Sequence, residues 1–388
     1  MTRWQLQLDV PWRQRDVHGY ADPGGIAVDR ARHRPLAPAF AGDRYALAAV
    51  DASGGAVTLT LRPDARWRDG GRLDAGEVAT TIAAALADHP LARLCGAGTP
   101  RPLRGDRVEV PARAAALLAT WLAAPRFAPR RADTATGAFA LDGDHLRGPD
   151  CDIELSIVSR PHEALARLDR AGAAPGLTCP TAFDVGEAAR RGGRRDLRRA
   201  PSDLHMVLLV NPERAPALAE IGGRAALAHR LGVALAGAHP KAALAPQGLS
   251  LLVGDYWPNR DVAALVAGAA RDLGLEITDA LVDLDALTAR VTTLDFDLAL
   301  VLVAGEITGA AALASWMAAL VNDDEAGPLA AALDAGGVRA VVAALEPVLP
   351  VLPLCQLAAA YVASSSVPVA PLVQGVAYPV DRLVEHAA

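Results

Sequence analysis

The chain has 388 residues, more than one hydrophobic core usually serves, so two or three domains are expected. Hydrophobic residues make up 52% of it and charged residues 21%, the balance of a soluble globular protein and not of a disordered one. A net charge of −6 argues against a nucleic-acid partner, and the longest apolar stretches, such as LDFDLALVLVAG, are broken by charge well short of a membrane span.

Taken in chain order, Trp4 to Leu8 alternates as a strand does, and the stretch from there to about Pro38 reads as loop. Tyr45 to Val50 and Val57 to Leu61 flank DASGG, a hairpin signal. Asp74 to Ala87 is a helix, with Asp74 as its cap and Glu77 completing an acidic capping box. Arg107 to Val110 is a short strand and Ala112 to Ala123 a helix. TGAFAL from Thr136 and the stretch Ile153 to Val158 alternate as strands, His162 to Asp169 is helical, and Pro175 to Pro180 is loop. The basic run RRGGRRDLRR, Arg190 to Arg199, reads as a solvated loop in preference to a phosphate contact.

In the remaining half, Leu204 to Val210 is a near-continuous apolar run that suits a strand buried on both faces. Leu218 to Ala236 is helical although Gly222 and Gly223 weaken its start, and Gly237 to Pro258 is loop containing GDYWPNR. A helix from Asp261 stops at Gly274, the strand GLEITDALV follows, and a short helix leads into the buried strand Phe296 to Val303. This alternation argues for an α/β lobe with a mostly parallel sheet. Ala310 to Leu320 and Pro328 to Leu345 are helical, and Val351 to Val380 holds strand-like pieces broken by PVAP.

Signatures of common chemistry are absent: there is no Walker loop, no GxSxG elbow and no HExxH helix. Cys95, Cys151, Cys179 and Cys355 are scattered, form no CxxC pair with a histidine partner, and read as buried or half-buried thiols, so no metal and no cofactor is expected. His205, inside an apolar strand, reads as a core hydrogen-bonding group before a catalytic one. Asp295 and Asp297 share one face of an extended segment and suit either acid–base chemistry or, preferably, solvation at a strand start. Glu306 follows the strand ending near Val303, where open α/β sheets bind ligands. Tyr256 and Trp257 stand in a loop where they either close over a ligand or pin the loop to its own domain, and Trp67 and Trp316 share that ambiguity.

The segment VTLTLRPDARWRDGGRLDAGEVATTI, Val57 to Ile82, resembles the strand–turn–helix of the extracellular solute-binding proteins of family 5, which serve dipeptide, oligopeptide and nickel ABC transporters. The matching pieces are Leu61-Arg62, Trp67, Asp69-Gly70 and Asp74 to Val78. Further similarities keep chain order: Pro35 to Phe40, Thr136 to Phe139, Leu204 to Asn211, Arg224 to Leu231, Leu273 to Ile277, Asp295 to Ala299 and Val351 to Leu354. The chain is similar to a shortened and divergent member.

The resemblance implies an α/β, two-lobed, periplasmic-binding-protein-like fold of type II, with an extra subdomain on the first lobe. The first lobe would take residues 1–40, 126–203 and 351–388, the subdomain 41–125, and the second lobe 204–350. It also implies a small-molecule or peptide-like ligand between the lobes, an ABC permease as partner if the protein is exported, no membrane insertion, and a monomer. Ligand-binding residues would be Glu306, pairing with a ligand ammonium, and Tyr256, Trp257 and Trp316. Two other readings stay open: a cytoplasmic enzyme on the same fold, with Glu306 as acid or base acting on a biosynthetic intermediate, and the sensing module of a regulator. The start MTRWQLQLDVPWRQRDV has no apolar core and no small-residue cleavage site. As the sequence stands it is expected in the cytoplasm, or outside it where a signal segment was removed or missed.

Overall fold

In the computed structural model, the residues described are 2–8, 23–38, 45–87, 89–131, 134–158, 161–168, 170, 176–179, 195–233, 235, 238–255, 258–303, 323–336, 338–345 and 349–364. They form a ten-stranded sheet and a separate four-stranded one. The large sheet contains β1 (Thr2–Leu8), β6 (Ala140–Asp142), β7 (His145–Arg147), β8 (Cys151–Ile157), β9 (Gly176–Cys179) and β10 (Arg195–Val210). It is completed by β11 (Gln247–Gly254), β12 (Leu275–Val282), β13 (Leu298–Val303) and β14 (Val351–Ser364). The strand order is β12, β11, β13, β10, β14, β9, β1, β8, β7, β6.

The two long strands at the centre make this one sheet serve two halves. The carboxyl-terminal part of β10, from His205, pairs antiparallel with β13, whereas its first part, Arg195–Ala200, pairs among the described residues only with the far end of β14, which then meets β9. The β10–β14 ladder shifts register between Ala200 and Leu204, at the proline-containing stretch where the halves join. Each half has its own parallel set: β8, β1 and β9 in one, β12, β11 and β13 in the other.

The second set is buried on both faces, which is why its strands read as continuous apolar runs. All six residues of β13 are buried. One face, with Met206, Leu208, Leu251, Val253, Leu300 and Leu302, packs under α6 (Pro216–Ala219), α7 (Ile221–Arg230) and α8 (Asn259–Arg271). The other, with Val207, Leu209, Leu252, Val301 and Val303, packs under α9 (Leu284–Thr292), α10 (Asp323–Gly336) and α11 (Val338–Leu345). In α7 the glycine that weakens the helix is required, because a Cβ on Gly223 would stand 1.9 Å from the Ala217 carbonyl oxygen. Beside it the buried Arg224 guanidinium donates to the carbonyls of Leu218 and Ala219, satisfying the end of α6.

The smaller sheet runs β2 (Ala48–Ser53), β3 (Ala56–Leu61), β5 (Arg107–Pro111), β4 (Arg101–Leu103), all antiparallel. Gly54 and Gly55 turn the β2–β3 hairpin with φ of +61° and +78°, a conformation that favours glycine. Helices α2 (Ala75–Leu86), α3 (Pro90–Cys95) and α4 (Ala115–Trp121) cover it. Its core is continuous through α10 with one face of the large sheet.

Several segments differ from the sequence reading. Pro23–Arg32, expected as loop, is a helix, α1, begun by proline and ended by two arginines suited to a carboxyl terminus. β9 and β11 both fall in stretches read as loop, and the arginine-rich half of β10 is paired strand from Arg195 onward. TGAFAL is extended in the ladder only from Ala140. Cys95 and Cys151 are buried as expected, but Cys355 is exposed.

Candidate functional site

The ladder directions determine where the parallel strands end. β10 runs from the first half into the second; β9, β1 and β8 run the same way, while β13, β11 and β12 run against it. Both parallel sets therefore point their carboxyl ends at the crossing of β10 and β14. In the first half Leu8, Ile157 and Cys179 are level with one another in register. In the second, Val303 stands beside His205. Thr178 is level with Leu197 through Val362, so the two edges stand about 20–25 Å apart along β10. Ligands of open α/β sheets bind beyond such ends, and here two such edges face each other.

The second edge is built by loops that enter helices. Asp255 follows β11, takes the Val282 carbonyl through its N–H, and pairs with Arg260 at the start of α8. Asn259 is fully buried there, its Nδ2 donating to the Gly254 carbonyl over 3.3 Å and its Oδ1 without a partner. Asp283 follows β12 and caps α9 through the Ala286 N–H. Tyr256 and Trp257 come directly after Asp255, and Glu306 three residues after the end of β13; all three, with Trp316, lie outside the described residues.

Other residues singled out in the sequence have definite places. Asp295 accepts from Arg214 and Arg290, which hold its carboxyl below the usual range, and Asp297 accepts the Ser250 N–H over 2.9 Å. Both are structural, and they sit at the opposite, amino-terminal end of β13. Trp67 is buried in the smaller sheet's core.

His205, read as a core group, is half-buried at the carboxyl edge of β13, between Val303 and the exposed Gln356. It shares its strand face with Val207 and Leu209. The apolar run around it signals burial, while its position at the crossing depends on strand order. Among the described residues no cluster of His, Cys, Asp or Glu could hold a metal, and no helix is long and apolar enough to cross a membrane.

No protein-family model matches the sequence, and no match was found among characterised proteins. Solved structures match it nearly end to end. A dipeptide binding protein of a Pseudoalteromonas species, in complex with Met-Leu, has a TM-score of 0.74 at 13% identity over 98% of this chain and 99% of that one. Burkholderia pseudomallei OppA has a TM-score of 0.74 at 14% identity, covering 98% of each chain. The periplasmic binding protein AgaA of A. tumefaciens, in complex with agropinic acid, has 0.69 at 16% identity over 98% and 96%. The chain thus has the two-lobed α/β fold of the type II periplasmic binding proteins, in the form seen in dipeptide, oligopeptide and nickel receptors.

Proposed function

We propose that this protein binds a small organic or peptide-like molecule between its two halves and delivers it to an ABC permease, outside the cytoplasmic membrane. The observation that carries this reading is the facing pair of carboxyl edges across the β10–β14 crossing, in a fold shared end to end with solute receptors. Two lobes joined by paired strands close on a ligand as rigid bodies, removing it from water and strengthening its polar contacts.

Within this reading the first lobe comprises 1–40, 126–203 and 351–388, the subdomain 41–125, and the second lobe 204–350, with β10 and β14 crossing between lobes. Glu306 accepts the ligand's ammonium, and Tyr256, Trp257 and Trp316 supply apolar walls. The protein works as a monomer.

Native mass spectrometry of protein purified from its own host tests this directly, because a receptor retains a small molecule that denaturation releases. Titration calorimetry with that molecule then compares the native chain with Glu306→Gln. Loss of roughly 1–3 kcal/mol of affinity is expected, the scale of a hydrogen bond to a charged group. Unchanged affinity removes Glu306 from the site, and a chain that neither retains nor rebinds any small molecule defeats the receptor reading.

A further inference from the structure

We propose that the molecule taken up between the halves is an organic anion, and that Arg198 and Arg199, on the strand that joins them, hold its carboxylate or phosphate group. This rests on the receptor reading for the existence of the gap, and adds to it the charge of the guest and the residues that select it.

The chain as a whole carries a charge of −6, which repels an anion approaching from solution. Its cations are not evenly spread: the run Arg190 to Arg199 holds six arginines against one acid, Asp196. Composition makes that run a solvated loop, but from Arg195 onward it is strand, laid against the far end of β14. Register gives it a position. Thr178 of β9, the strand that follows α5 (Pro161–Leu168), is level with Leu197 through Val362, and β9 ends one residue later at Cys179. Arg198 and Arg199 therefore come at and just past the first edge, on the stretch of β10 that crosses to the second.

The floor of that crossing is open at its far end. Met206 to Val210 and, on β14, Val351, Leu352 and Leu354 are buried, whereas His205 is half-buried and Cys355 and Gln356 are exposed. Burial thus stops where the second edge stops. Further along, the positions on β14 level with Arg199 and Ala200 are both alanines, Ala360 and Ala359. Asp203 is the one acid between Arg198 and His205, and it falls in the register shift next to the second edge. Positive charge in the crossing is therefore gathered at the first edge. Arginine suits an oxyanion there, because its planar fork offers two parallel N–H donors, and lobe closure strengthens such a bond by removing water. Charge on a strand that is paired, among the described residues, along one side also discourages stray pairing, a role that needs no guest. It does not explain why an acidic chain collects its arginines at the crossing, and an anion titration separates the two roles.

Isothermal titration of the dialysed full-length chain with glutarate, with inorganic phosphate and with cadaverine is that test. Expected is saturable binding of glutarate, phosphate or both, and none of cadaverine; the tighter of the two anions tells a carboxylate guest from a phosphate one. Affinity should fall about tenfold or more in R198Q/R199Q, the worth of one charge-assisted contact. It should fall less in R198K/R199K, which keeps the charge and loses the fork, and stay unchanged in R104Q/R107Q, an exposed pair on the smaller sheet. If the glutamine pair does not fold, the lysine pair decides, and unchanged affinity in it overturns the proposal. So do the absence of saturable binding by either anion, equal binding of cadaverine, unchanged affinity in a folded R198Q/R199Q, and an equal loss in R104Q/R107Q. Native mass spectrometry keeps the two readings apart. A chain that binds the anion but retains no molecule from its host defeats the receptor reading alone, whereas a retained molecule without an acid group defeats this one alone.

Discussion

The indole Nε1 of Trp67 donates to Oε2 of Glu77 over 3.2 Å, and the same oxygen accepts the Asp74 N–H that closes the capping box of α2. The other oxygen of Glu77 pairs with Arg131, whose guanidinium lies 4.4 Å from the centre of the Trp67 ring. Gly70, at φ +88°, reverses the chain between indole and cap, and the Gly71 N–H is held by Asp69 Oδ1 over 2.8 Å. The aromatic, the Asp-Gly turn and the acidic helix start are thus parts of one knot.

That arrangement orders two substitutions. Trp67→Phe keeps most of the buried ring but removes one donor, and should cost about 1–2 kcal/mol. Glu77→Ala removes the acceptor for the indole, the cap and the arginine together, and should cost about 2–3 kcal/mol. Urea unfolding of both variants checks the order. A harmless Glu77→Ala would mean that the carboxylate is replaced by water at no loss.

Gly137 is the point where two elements meet too closely for a side chain. Its N–H donates to the Arg32 carbonyl at the end of α1, and a Cβ there would stand 2.5 Å from the Arg32 carbonyl carbon and 2.6 Å from Ala31 O. Arg68 adds hydrogen bonds to the carbonyls of Gly137 and Phe139. Since backbone blocks the added methyl, Gly137→Ala must push α1 away, at a cost of about 1–3 kcal/mol. Thermal unfolding shows this as a lowered midpoint, whereas Gly105→Ala, with open space around its Cβ site, is strained only by its φ of +76°.

What can be read from the sequence follows from how local each cause is. The capping box of Asp74 and Glu77, the Gly54-Gly55 turn and the helix stop at Gly274 (φ +87°) act within a few residues and are legible. β11 is not, because it is central, buried on most of its length and without alternation, between partners supplied by β12 and β13. The first half of β10 carries arginines that suggest a loop, and only pairing with the distant end of β14 makes it strand. At the candidate site, Glu306 follows from a strand end, but the partial exposure of His205 depends on strand order.

His33 gives the fold a dependence on acid. It is 4% exposed, and burial first, then the charges of Arg130, Arg32 and Arg68, pull its pKa from 6.5 down to about 3, against a hydrogen bond with the Pro129 backbone. The unfolded chain takes up a proton below pH 6.5 that the folded one refuses until about pH 3. This contribution is therefore complete above pH 6.5 and is lost as pH falls toward 3. Between pH 6.5 and 5 it amounts to about 2 kcal/mol at 1.4 kcal/mol per pKa unit. In His33→Gln the urea midpoint should fall less steeply over that interval, and an unchanged slope would show that His33 does not titrate on unfolding.

His205 offers the sharpest separation of structure from binding in the second half. It stands on the strand that joins the lobes, level with the end of β13 and beside Gln356, and its partial exposure distinguishes it from Val207 and Leu209 on the same face. Under the receptor reading this places an imidazole beside the ligand and within the hinge. His205→Ala should then lower affinity for the retained molecule by about tenfold, one polar contact, while the unfolding midpoint changes little. If His205 only fills space, the order reverses: the midpoint drops and affinity for the folded fraction stays the same. Calorimetric titration and thermal unfolding of one preparation decide between these outcomes, because each moves an observable that the other leaves in place.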